Sequence, residues 1–139
     1  MFARINKIQN VGKFEDSCGT GNIKLNKVNI VYANNTYGKS TLCDIIRSLK
    51  ENNADIIRNR KTVPNHGDPI IQLSMIPDSG DKQYNANFNK VWSVDPLIAP
   101  LLKNLHIFDT LFIEKNVFVG SHIDRKNHEN FTDFVIGEG

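Results

Sequence analysis

Apolar residues return among polar ones from Phe2 to Val11, at Ile5, Ile8 and Val11, a pattern that suits a strand closed by Gly12. After a turn expected over Ser17–Gly21, the stretch NIKLNKVNIVY, Asn22 to Tyr32, alternates and then becomes continuously apolar at Ile30, Val31 and Tyr32. That pattern predicts a strand entering a buried sheet. From Lys39 the period changes: Leu42, Ile45, Ile46 and Leu49 fall at i, i+3, i+4 and i+7, which predicts an amphipathic helix ended by Asn52 and Asn53. Further on, Ile70–Ile76 lies between Pro69 and Pro77 and pairs in expectation with Gln83–Phe88 across the polar turn Asp78–Asp81, forming a hairpin. Pro96 and Pro100 are expected to break the next stretch. Leu105–Phe108 is a short buried-strand candidate, Asp109–Phe118 suits either a strand or a helical turn, and Ser121–Asn130 is a polar loop before a final apolar run.

The chain has 139 residues, 40% of them hydrophobic and 23% charged, which fits one domain with one core and argues against disorder or a membrane span. The start, MFARINKIQN, carries no apolar segment with a small-residue cleavage site, so the expected location is cytoplasmic. Cys18 and Cys43 lack the paired spacing of a zinc site and are read as reduced thiols, and His66, His106, His122 and His128 show no ligand-like pairing. The formal charge of +2 is mild. Its one cluster, Arg58, Arg60 and Lys61, is read as a solvated face rather than a phosphate or nucleic-acid contact. Arg4 and Lys13 are likewise read as solvent-facing. Trp92, Phe108, Phe112 and Phe118 are expected in the core rather than on a base-stacking platform.

Candidate chemistry concentrates in one place, the string YANNTYGKST from Tyr32 to Thr41. It departs from the phosphate-loop pattern G-x-x-x-x-G-K-[ST] only at its first position, where Ala33 replaces glycine. Such a loop works by curling backbone N–H groups around phosphate oxygens, with a helix N-terminus aimed at the same anion and a lysine reaching the outer phosphates. Gly38, Lys39 and Ser40 supply the closing half, and a predicted strand and helix flank the loop in the required order. Ala33, Asn34, Asn35, Thr36, Tyr37, Gly38, Lys39, Ser40 and Thr41 are therefore the expected ATP-binding residues, with the Ser40 hydroxyl on Mg²⁺. If the first position needed positive φ, the Cβ of Ala33 would cost about 1 kcal/mol.

Four stretches, FARINKIQNVGKF, the loop ANNTYGKST, RKTVPNHGDPIIQLSM and HIFDTLFIEKNVF, together resemble the N-terminal part of the bacterial ATPase family that includes the PrrC-type anticodon nucleases. That family is similar in turn to the ABC-type group with SMC, RecF and double-strand-break repair ATPases. The resemblance implies an α/β P-loop lobe over residues 1–139, with a twisted mixed sheet around the helix and an antiparallel β layer. It implies ATP and Mg²⁺ as ligands, a C-terminal lobe carrying the signature motif, nucleotide-dependent pairing of two heads, and control of an effector acting on RNA or DNA, such as antiviral anticodon cleavage. The family loop has a second glycine where this chain has Thr36. Asn35 takes the place of an asparagine near the γ-phosphate, and Asn116 stands in the region where repair ATPases carry a magnesium-sensing glutamine. Asp109, ending the apolar stretch LHIFDT, is read as structural rather than as a metal ligand. No LSGGQ-like string occurs in the chain. Two other readings stay open: a small complete P-loop kinase or GTPase, and a degenerate nucleotide-binding module whose role is interaction.

Overall fold

The computed structural model describes residues 2–18, 24–26, 28–64, 67–76, 82–109 and 112–113. The chain divides into two compact units, Met1–Leu105 and His106–Gly139. The first is a mixed α/β unit built on one five-stranded antiparallel sheet in the order β2-β1-β3-β4-β5, comprising β1 (Phe2–Val11), β2 (Phe14–Cys18), β3 (Ile70–Met75), β4 (Tyr84–Asn89) and β5 (Val91–Val94). Its helices are α1 (Lys39–Glu51), α2 (Ala54–Arg58) and α3 (Ala99–Lys103). No helix among the described residues is long and apolar enough to cross a membrane.

Pairing sets the two faces of the sheet. Ile8 lies opposite Ile71, Ile71 opposite Phe88, and Phe88 opposite Trp92, so these side chains share the face on which the core is built. Gln72, Asn87 and Ser93 pair along the other face and are exposed. In β1 the apolar positions Phe2, Ile5 and Ile8 fall three apart, a spacing that a regular strand would scatter over both faces. Register shifts between Phe2 and Arg4 and between Ile5 and Lys7 each insert one residue, and so return all three to the core face.

Helix α1 buries Ile45 and Leu49 in this core, with Leu42 partly buried against it, as the helical spacing requires. Asn52 caps its end in the left-handed conformation (φ 48°), its N–H bonded to Leu49 O. Ser48 is fully buried and joins three elements: its hydroxyl donates to Asn53 O at 2.6 Å and accepts from Trp92 Nε1 at 2.8 Å. The β1–β2 turn is held from two sides. Thr62 Oγ1 donates to Gly12 O at 3.0 Å, and Thr41 of α1 packs against Gly12, where an added Cβ would lie 2.7 Å from Thr41 Oγ1.

Several expectations are corrected. The sheet is entirely antiparallel among the described residues, not mixed. The strand expected over Asn22–Tyr32 is absent at its described positions, because extended chain becomes a strand only where a neighbour takes its backbone bonds. Among the described residues, Leu25 N to Ala3 O, 2.8 Å, is the one such backbone bond. Ser17 and Cys18, expected in a turn, finish β2. Pro96 and Pro100 do not merely break the chain: they open a 3₁₀ turn (Pro96–Ile98) and α3, where a missing N–H costs nothing.

In the second unit, Leu105–Phe108, which starts one residue before the boundary, forms no strand. Phe108 is exposed rather than core, with its ring 4.7 Å from that of Phe112. Phe112 and Ile113 form a helical turn. Asn116, Phe118, His66, His122, His128, the turn at 78–81 and the loop at 121–130 lie outside the described residues.

Candidate functional site

The loop from Ala33 to Gly38 connects extended chain to the first turn of α1. Its middle is a turn in which Tyr37 N donates to Asn34 O at 3.4 Å, with Asn35 and Thr36 at the centre. Thr36 has φ 72° whereas Asn35 and Ala33 do not enter positive φ, the pattern of a type II turn, whose third position favours glycine. The backbone difficulty expected at Ala33 therefore lies at Thr36. Alanine is tolerated in the first position because its backbone stays in the region that every residue adopts.

Gly38 is the N-cap of α1 at φ 92°, and no side chain caps the helix. The ring of Phe14 covers it so closely that a Cβ would meet Phe14 Cζ at 2.9 Å. Glycine is thus required twice at this position, by conformation and by contact. The first-turn N–H groups of α1 have no intrahelical acceptor, and there is no acidic residue in that turn, so the end of the helix is electropositive. Ser40 is exposed beside it. Lys39 folds back over the loop, its Nζ donating to Ala33 O and to Asn34 O (2.9 Å).

The expected residues divide by what their side chains touch. Lys39 and the exposed Asn34, Asn35, Tyr37 and Ser40 belong to an open surface around the helix end. Thr41 does not: its side chain is 4% exposed and holds α1 to the β1–β2 turn, which leaves its backbone N–H as the part able to meet a ligand.

Beside the loop lies a cavity of about 390 Å³, walled by Phe14, Leu25, Val31 and Tyr37, with Lys39 and Arg4 as its cations. Arg4, expected to face solvent, is half-buried there. The sequence pattern does not mark Phe14 for the site, and it marks Leu25 only as an apolar position of the strand expected over Asn22–Tyr32. The signal for Phe14 was an apolar residue two positions after the turn glycine, but such a residue in a polar strand is ordinary. Exposed apolar chain leads into this site: Val28 is 82%, Ile30 93% and Tyr32 88% exposed, while Val31, between them, lines the cavity.

The basic cluster is neutralised by acids. Arg58 pairs with Asp55 at 2.6 Å, Arg60 with Asp44 at 2.7 Å, and Lys61 with Asp68 at 3.5 Å. Asp109 is engaged in its own turn, accepting from Phe112 N at 3.0 Å. No protein-family model, curated protein or solved structure matches this chain.

Proposed function

We propose that the chain binds the phosphates of Mg-ATP on Ala33–Thr41 and is the N-terminal lobe of an ABC-type ATPase with a P-loop fold, similar to the PrrC-type group. The observation that carries this reading is the meeting of an uncapped helix start, a turn-forming loop and the ammonium of Lys39. Lys39 is held by two loop carbonyls, and exchanging them for phosphate oxygens would bring its charge to the anion that the N–H groups of the helix end would attract. Ser40, exposed in the first turn, is the residue that would reach Mg²⁺; the ion would offset phosphate charge when bound. The apolar cavity with Phe14 and Tyr37 suits the nucleoside.

The outward apolar side chains of Val28, Ile30 and Tyr32 support the second half of the reading. A run of that kind costs free energy in water and invites cover, here by strands of a C-terminal lobe that would supply the rest of a P-loop sheet. Turnover would then need that lobe and a second head, and the effector, acting on RNA or DNA, would be controlled by head closure. The strained Thr36 favours one alternative, a nucleotide-binding module that serves interaction rather than catalysis.

Calorimetric titration of Mg-ATP into the chain tests the proposal. Saturable binding is expected, weakened about 10- to 100-fold in Lys39→Ala by loss of charge-assisted hydrogen bonds. Equal affinity of parent and variant would remove the loop from the function.

A further inference from the structure

At the opposite end of α1, about 20 Å along the helix from the loop, the surface opens into a second groove of about 650 Å³. Its floor is apolar, formed by Leu49, Trp92, Val94 and Leu102, and its rim carries Lys50 from the last turn of α1 and Lys103 from the last turn of α3. These two lysines differ from the basic cluster described above. Each cation of that cluster is paired with an acid, whereas Lys50 and Lys103 have no carboxylate partner among the described residues. Glu51 follows Lys50 in the chain but does not line the groove. A helix C-terminus offsets only roughly half a charge, and less for the five-residue α3, so the rim stays positive.

We propose that this groove docks an acidic amphipathic helix of a partner protein, with its apolar residues over Val94, Ala99 and the outer edges of Trp92 and Leu102 and its carboxylates on Lys50 and Lys103. Charge complementarity selects this occupant over the others. Face-to-face pairing of two copies would bring the same lysines together. A nucleic acid would find no stacking platform, because the ring of Trp92 is buried in the floor with its Nε1 bonded to Ser48. A helix presenting apolar residues at i, i+3, i+4 and i+7 matches an apolar floor flanked by two cations. The groove is separate from the loop, so the inference holds whether or not the loop binds nucleotide.

Trp92 is the single tryptophan of the chain, and its emission reports on the groove directly. The probe is a synthetic peptide of about four helical turns, with leucines at those positions and glutamates elsewhere, set against a counterpart with lysines for glutamates. The glutamate peptide is expected to give a saturable change in emission that weakens as salt rises, and to lose about tenfold or more in affinity against Lys50→Glu/Lys103→Glu. Both substituted residues are exposed, and unchanged thermal denaturation verifies the fold; should that variant unfold, Lys50→Gln/Lys103→Gln takes its place. No saturable change with the glutamate peptide, an equal response to the lysine peptide, or full affinity in the folded variant would overturn the proposal. So would a response to laurate with none to the peptide, which would assign the groove to a fatty anion.

Discussion

Replacing Thr36 by glycine should stabilise the protein, against the usual effect of introducing glycine. Thr36 stands at φ 72°, and the left-handed region costs a residue with a Cβ roughly 1–2 kcal/mol. Its branched side chain places it among the least tolerant residue types there. The side chain is exposed, so its removal opens no cavity. Against this gain, glycine adds freedom to the unfolded chain worth about 0.4–1 kcal/mol. The difference is a net stabilisation of about 0.5–1 kcal/mol, which for a unit of this size raises the Tm by about 2–6 °C. Thermal unfolding of the parent, Thr36→Gly, Thr36→Ala and Thr36→Val measures it. Alanine keeps the Cβ and should gain little, and valine keeps the branch and should gain nothing. If glycine proved no more stable than alanine, the strain assigned to this turn would be refuted.

Three further substitutions probe the supports of the site. Gly12→Ala combines φ 55° with a Cβ 2.7 Å from Thr41 Oγ1 and 2.9 Å from Thr41 Cγ2; a loss of about 2 kcal/mol or more relative to the parent is expected in denaturant unfolding, and a smaller loss when the same change is made in a Thr41→Ala background, which lacks both atoms. Ser48→Ala leaves Trp92 Nε1 without its buried acceptor and should cost about 1–3 kcal/mol, with a shift in tryptophan emission at unchanged far-UV circular dichroism. Asp44→Ala removes the acid shared by Arg47 and Arg60, two of the three groups being largely shielded from solvent, and should lower stability by about 2 kcal/mol.

What could be read from the sequence is what local pattern alone determines. Helix α1 shows its buried stripe at Ile45 and Leu49 and its stop at Asn52, and the β3–β4 hairpin is marked by prolines and alternation. Strand β1 was legible only in outline, since the two bulges that make its spacing of three workable depend on β3, a partner nearly seventy residues away. The edge strand β2, FEDSC, carries almost no apolar signal because its side chains are mostly exposed, and α2 and β5 are too short to show a period. The apolar run before the loop misled for the opposite reason. Its pattern is that of a buried strand, yet Val28, Ile30 and Tyr32 are exposed, because a run of apolar side chains records their character and not which strand, if any, runs alongside them. At the site, the motif identified Lys39 and the helix start. It could not show that Thr36 rather than Ala33 takes positive φ, or that Phe14 and Arg4 come to the loop from the hairpin.

The central claim, that Ala33–Thr41 cradles nucleotide phosphate, is tested most directly by amide NMR spectra of the ¹⁵N-labelled chain titrated with Mg-ATP. The account predicts saturable shifts concentrated at the backbone N–H groups of Asn34–Thr41, smaller ones at Phe14 and Leu25 around the cavity, and none at the distant β4 and β5. An unchanged spectrum at saturating nucleotide, or shifts centred away from the loop, would contradict it.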